Sequence, residues 1–285
     1  MSPERKLFIE RLCLRGLSER TVRNYVDPLL KAADFYNKSP LKMDCVEIEQ
    51  FLLHELKVEK LMPSTVNIHI AAFKKLFELL VPSSTVMENI GKVKEVHRLP
   101  MVLTVDEVAA MLRATNNIKH RAMIEVLYST GIRLDECVNL QWRDIDRHRM
   151  LVDVKCGKGK RQRYTIIGHR ALATLAEYYH VYHPREQVFE GRCHDGLISR
   201  RLIAKVVSSA AQRARIDKPV SPHTLRHCFA THLMEQNVSI RVIQKLLGHS
   251  SIKTTTIYCQ VSNAAISNMS NPLDVLYARG KGRIL

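Results

Sequence analysis

Several polar residues in the second half of the chain stand where a plain helical protein has no need of them. Arg133 follows Thr130-Gly131-Ile132 at the start of a predicted helix, and Glu136 three residues on shares its face. A surface ion pair is the plainer reading of the two. Lys158 lies between Gly157 and Gly159, and with Lys155, Lys160, Arg161 and Arg163 it places five positive charges in nine residues. Such a turn meets phosphates, either unspecifically or with one lysine set for chemistry, and its glycines allow close backbone approach. His223 and Arg226, three apart at a helix start, can grip one phosphate between a fixed fork and a titratable ring. His227, Cys228 and His232 crowd the same stretch, and the i, i+4 pair His223/His227 has zinc-ligand spacing, with no third and fourth ligand placed. His249 follows Gly248 at a helix end and Tyr258 comes nine residues later; singly, each reads as a partly buried ring.

The elements that must carry these residues are mostly helical. Helical periodicity marks 3–15, stopped by Gly16, and a second helix capped by Ser18 that runs towards Tyr36, with Pro28 expected to kink or split it. Asp44 with Glu47 opens 45–59 as a capping box, and Ser64 opens a helix to Leu80. These four helices form a small bundle. Residues 1–90 are thus one domain, 91–103 an exposed basic linker, and 104–285 a second domain opened by the Thr104-Val-Asp-Glu107 capping box. In the second domain, helices are expected near 105–114, 117–129, 133–140, 170–182, 199–214, 222–236, 239–247 and 253–260. The β-branched stretches Met150 to Val154 and Arg163 to Ile167 flank the basic turn and predict a hairpin. The fold class is mainly α with one small antiparallel sheet.

Composition narrows the partners. With 285 residues and 46 % apolar content, the chain has enough for a core in each of two domains, which excludes intrinsic disorder. Residues 1–90 hold 13 basic and 12 acidic side chains, whereas residues 91–285 hold 31 and 16. A one-sided excess of this size points to a polyanion, most often nucleic acid; ribosomal or membrane-surface binding also fits. No apolar run nears the roughly 18 residues of a membrane span, and the start is charged, so a cytoplasmic protein is expected. Seven scattered cysteines without a C-x-x-C pair read as reduced thiols.

Taken as an ordered set, T-G-x-R at 130–133, G-K-G at 157–159, H-x-x-R at 223–226, L-L-G-H at 246–249 and a tyrosine nine residues on resemble the tyrosine recombinases. The likeness to Xer-type and phage-integrase members runs from Ser129 to Val261 and is especially close over Ser221-Pro-His-Thr-Leu-Arg-His-Cys-Phe-Ala-Thr-His-Leu233. The bundle over 1–80 is similar to that family's core-binding domain. The resemblance implies a four-helix core-binding bundle followed by a mostly helical catalytic domain, and an enzyme that cuts and rejoins DNA without ATP or metal cofactor. Arg133, Arg226 and His249 would neutralise the scissile phosphate as its charge grows. Tyr258 would be the nucleophile, aided by cations and a base such as His223, leaving a 3′-phosphotyrosyl bond and a 5′-hydroxyl. Lys158 would protonate the departing 5′-oxygen, and Glu136 would orient the arginines.

The family implies further partners: a double-stranded recombination site, and four protomers on two duplexes joined through a Holliday junction, with or without a second recombinase. Lys155, Lys160, Arg161 and Arg163 would contact DNA phosphates, the neutral bundle would clamp the opposite face to form a C around the duplex, and a tail from about residue 263 would dock on a neighbour. The chain starts directly on the bundle, without the arm-site domain of lambda-type integrases. The 65 residues from Lys158 to His223 leave no room for the integron insertion. A simple-site Xer-like or mobile-element enzyme is what remains. Cys228 and Cys259 stand where the family more often has small or hydroxylated residues. Three rivals are a type IB topoisomerase, a non-catalytic DNA-binding regulator and a zinc-binding regulator.

Overall fold

The computed structural model describes residues 2–95, 100–155, 162–191, 196–249 and 251–260. The chain divides into two compact units, Met1–His97 and Arg98–Leu285.

The first unit holds helices α1 (Pro3–Leu14), α2 (Glu19–Tyr36), α3 (Cys45–Lys57) and α4 (Pro63–Leu80), with a 3-10 turn at Pro40–Lys42. Local chemistry sets each start. The Ser2 and Ser18 hydroxyls accept from the N–H groups of Arg5 and Thr21. Asp44 and Glu47 exchange both bonds of a capping box. α4 begins at Pro63, one residue before the expected Ser64, because proline already has the first-turn φ and lacks an N–H to leave unpaired. Of the two outcomes expected at Pro28, a split is excluded: α2 is one helix from Glu19 to Tyr36 with Pro28 inside it. A proline there forfeits one backbone hydrogen bond, and burial of Val26, Pro28 and Leu29 offsets that loss. The bundle closes on Phe8, Leu12, Ile48, Phe51, Val66 and Phe73, all fully or almost fully buried, with the Phe51 and Phe73 rings edge to face at 6.3 Å.

The second unit begins with α5 (Val105–Arg113), α6 (Ile118–Thr130) and α7 (Leu134–Val138). The Thr104–Glu107 capping box that opens α5 is present with both bonds. A 3-10 turn at Trp142–Asp144 leads into an antiparallel sheet of β1 (Ile145–Asp146), β2 (Leu151–Val154) and β3 (Arg163–Ile166), ordered β1-β2-β3. β2 and β3 are the expected hairpin, paired Val152 to Thr165 and Val154 to Arg163. β1 was not foreseen, since two residues carry no readable alternation. Then follow α8 (His169–Tyr182), α9 (Arg200–Arg213), α10 (Pro222–Glu235), α11 (Ile240–Leu247) and α12 (Lys253–Thr256). The single helix expected over 253–260 is instead α12 followed by a 3-10 turn, Ile257–Gln260, which carries Tyr258. Among the described residues, no helix is long and apolar enough to cross a membrane.

Two central helices organise this unit. Residues 122–127 of α6 are buried on every face, and α6 packs against both α8 and α10. In α10, Pro222, Leu225, Arg226, Cys228 and Phe229 are all buried while His223 stays exposed. Phe229 also joins Ile243, Leu247 and Tyr258 in a separate apolar cluster that fastens the last turn to α10 and α11.

Gly131 closes α6 in the left-handed region at φ +61°, and a Cβ there would lie 2.2 Å from Phe229 Cδ1. Backbone strain and collision both oppose a side chain. Gly131→Ala should therefore lower the unfolding free energy by about 1–3 kcal/mol, read from urea denaturation; an unchanged midpoint would contradict this placement.

Candidate active site

The left-handed turn at Gly131 delivers Arg133 to the N-cap of α7, where the Glu136 carboxylate accepts from the Arg133 N–H at 2.7 Å and from its Nη1 at 2.9 Å. Sequence spacing placed these two on one face, and the structure brings them into direct contact. A third partner completes the group. Arg163 meets the same carboxylate with two parallel bonds, Nη1 to Oε1 at 2.8 Å and Nη2 to Oε2 at 2.7 Å. Burial alone would raise the Glu136 carboxyl, but the Arg163 fork and the Arg133 N–H and guanidinium outweigh it and hold the group at about 2.

Arg163 therefore needs correction. Expected on the DNA, it is almost fully buried: the alternation of β3 turns Arg163 and Thr165 inward and Tyr164 and Ile166 outward. Its Nε donates to the Leu246 carbonyl at 2.8 Å, and its stem passes so close to Gly248 that a Cβ there would sit 2.5 Å from Arg163 Cδ. Arg163 braces the site from below. Lys155 is half exposed and ion-paired to the buried Asp144. Lys158, Lys160, Arg161 and the tail from about 263 lie outside the described residues.

Arg226 rises from α10 into the same space. Its Nη1 donates to the Gly131 carbonyl at 2.5 Å and its Nη2 to the Leu247 carbonyl at 2.6 Å, with His249 Nε2 at 3.1 Å. Burial, then the neighbouring Arg133 and Arg163, pull its guanidinium down to about 10, which leaves it charged at neutral pH. The same burial, with Arg226, Arg133 and Arg163, lowers His249 to about 4. A neutral His249 has one N–H, and a guanidinium only donates, so Nε2 accepts from Arg226 and Nδ1 donates to Thr255 Oγ1 at 2.9 Å. This fixes the tautomer and aims the ring.

Tyr258 lies beside this cluster, 2 % exposed, its ring nearly parallel to that of His249 with centroids 6.4 Å apart. Its hydroxyl is 3.1 Å from His227 Nδ1. Burial raises the phenol pKa by more than Arg226 and Arg133 draw it down. The structure thus gathers Arg133, Glu136, Arg226, His249 and Tyr258 in one place. His223 stands exposed in the first turn of α10, and the described contacts of the Tyr258 hydroxyl are with His227 instead.

Sequence reasoning missed three members of this group: Arg163 as the second clamp on Glu136, Thr255 as the partner of His249, and His227 as the partner of Tyr258. Strand alternation pointed inward for Arg163. The other two are long-range or loop contacts without a spacing signal. The zinc alternative built on His223, His227, Cys228 and His232 also meets its geometry here. His232 donates to the Leu103 carbonyl and accepts from Tyr128, Cys228 Sγ accepts from the Leu103 N–H, and His227 faces Tyr258. Among the described residues, no three His, Cys, Asp or Glu side chains converge as a metal site.

Comparison with known proteins agrees with this geometry. Residues 101–265 match the phage integrase family, and residues 5–84 match the phage integrase N-terminal SAM-like domain. The chain is 32 % identical over 277 residues to a Sinorhizobium fredii protein named as an integrase/recombinase, covering 97 % of this chain and 90 % of the relative. It is 30 % identical to the tyrosine recombinase XerD of Halalkalibacterium halodurans over 90 % of this chain and 91 % of that one. A lambda integrase tetramer solved bound to a Holliday junction shares the fold, with TM-score 0.72 and 18 % identity over 88 % of this chain and 74 % of that one. The chain belongs to the phage integrase family. Within that family its relatives are tyrosine recombinases, as the gathered Arg133, Arg226, His249 and Tyr258 lead one to expect.

The Glu136 cluster carries a pH signature. Its carboxyl lies below the unfolded value, so the stability it confers is complete above about pH 5 and is lost as pH falls towards 2. Glu136→Gln leaves two arginines without a counter-charge and should cost roughly 3 kcal/mol at pH 7. Urea denaturation across pH should show the gap to wild type narrowing below pH 5; a constant gap down to pH 3 would refute the role of this charge.

Proposed function

We propose that this protein is a site-specific DNA recombinase that joins Tyr258 to the 3′ side of a scissile phosphate, frees a 5′-hydroxyl and rejoins the strand to a new partner. The observation that carries this reading is Tyr258 packed against His249, whose Nε2 lies 3.1 Å from a buried and charged Arg226. Arg133 is the most open guanidinium of the cluster, with 31 % of its side chain exposed, and meets the phosphate directly. Arg226 and His249 supply the deeper contacts. As negative charge accumulates on the non-bridging oxygens, these groups bind the transition state more tightly than the ground state. An arriving phosphate also favours protonation of His249, turning its ring into a donor. Exposed His223, one turn from Arg226, grips the same phosphate from the solvent side.

Lys158 is assigned the proton for the departing 5′-oxygen, and Lys155, Lys160 and Arg161 contacts to neighbouring phosphates. The bond energy stays in the phosphotyrosyl link, so the step reverses without ATP or metal. Residues 1–90 act as the core-binding unit, 91–103 as linker and 104–285 as the catalytic unit, in keeping with family matches over 5–84 and 101–265. Four protomers on two duplexes, exchanging strands through a Holliday junction with the tail from about 263 docked on a neighbour, is the assembly we favour. The lambda integrase tetramer of like fold supports it. The reaction belongs in the cytoplasm, where the DNA is.

The test uses a duplex that the protein selects from a randomised oligonucleotide pool, nicked near the selected site so that the cleaved strand diffuses away. Wild type should form a covalent protein–DNA band on a denaturing gel and Tyr258→Phe none. Absence of the band from wild type, or its persistence in the variant, would overturn the reading.

A further inference from the structure

Resting on that reading, we propose that His227 is the proton acceptor for Tyr258: its Nδ1, 3.1 Å from the phenol oxygen, takes the hydroxyl proton as the ring attacks. The two residues are 31 apart in sequence, and the 3-10 turn that bears Tyr258 packs directly on α10. The rings are also in contact, with centroids 5.6 Å apart. Tyr258 as a residue is only 2 % exposed, which favours release of its proton to the group that its hydroxyl already contacts. His223, the base suggested by sequence, is exposed in the first turn of α10, and the described partner of the Tyr258 hydroxyl is His227.

The charges around His227 suit the task. His223 and Arg226 face it on α10, His249 faces it from the end of α11, and Tyr258 from the last turn. Burial first, then His223 and Arg226, lower its pKa, so at neutral pH its ring has a free lone pair. The phenol needs such a partner, because burial has raised its own pKa.

The step balances. The Tyr258 O–H bond breaks with its proton going to His227 Nδ1, the Oη–P bond forms, and the P–O5′ bond breaks. The departing oxygen takes a proton from the general acid, which the reading assigns to Lys158, and leaves as the 5′-hydroxyl. On rejoining, a 5′-hydroxyl gives its proton back to that general acid and attacks phosphorus, the Oη–P bond breaks, and His227 returns its proton to the tyrosine oxygen.

The test is single-turnover adduct formation on the pool-selected nicked duplex from pH 5.5 to 9.5, with wild type, His227→Phe and His227→Gln, each checked for folding by circular dichroism and for duplex binding. Wild type should reach a plateau near neutral pH. His227→Phe keeps the ring volume and should be slower at pH 7 by about 100-fold or more, its rate climbing about tenfold per pH unit into the alkaline range as free phenolate takes over. His227→Gln keeps a hydrogen-bonding group without a titratable nitrogen, so it should share the slow, climbing profile even if the phenylalanine variant misfolds.

A 5′-bridging phosphorothiolate at the scissile position, whose thiolate leaves without a proton, should not rescue either variant. Rescue by that substrate would move His227 to the leaving-group side and overturn the proposal. So would a glutamine variant with wild-type rate and plateau, which is the mark of a purely positioning role. An inactive wild type strikes the proposed function itself, whereas active wild type with unaffected His227 variants strikes this inference alone.

Discussion

Three arginines converge in this unit, and keeping them together against their mutual repulsion is the constraint on which the site depends. One carboxylate, Glu136, gathers four hydrogen bonds onto its two oxygens, from the Arg133 N–H and guanidinium and from the Arg163 fork. The remaining compensation is backbone. α11 ends with unpaired carbonyls, as every helix does, and three consecutive ones are used: Leu246 accepts from Arg163, Leu247 from Arg226, and Gly248 from Arg133 at 3.4 Å. The negative end of the helix dipole favours the same cations. The arginines are thus partly neutralised by groups that cannot move, while Arg133 keeps an open face for an incoming anion.

Glycine is what lets these backbones approach. Gly131 and Gly248 are both left-handed helix ends, both lie against side chains that a Cβ would strike, and both belong to segments whose carbonyls or N–H groups touch the arginines. Packing therefore supplies the preorganisation that catalysis needs. Under the proposed function, donors held by α6, α10, α11 and β3 do not have to reorient when charge develops on phosphate. Tyr258 is fastened in the same place by the apolar cluster of Phe229, Ile243 and Leu247 and by the contact of its hydroxyl with His227.

Much of this was legible in the sequence. Caps at Ser18, Asp44 and Thr104 marked helix starts because a side chain satisfies nearby backbone donors. The ordered set Arg133, Arg226, His249 and Tyr258 marked the site through its resemblance to the tyrosine recombinases, since none of the four is specific when read singly. What remained hidden depends on tertiary contact. Pro28 does not split its helix, where its buried ring packs into the bundle. Arg163 looked like one more charge in a basic turn, but it lies in β3, paired with Val154, where the strand's alternation turns it inwards. His227 read as a neighbour of Arg226 or a zinc ligand, since nothing in spacing links it to a tyrosine on another element.

The central claim is that the arginines exist to offset charge on the scissile phosphate. Its most direct measurement compares wild type and Arg133→Ala on the selected duplex with either an ordinary phosphate or a neutral methylphosphonate at the cleavage position. On ordinary DNA the variant should form adduct about 100-fold or more slowly; on the uncharged linkage the two proteins should react at nearly the same rate. An equal loss on both substrates would show that Arg133 serves the structure rather than the phosphate, and would contradict the account.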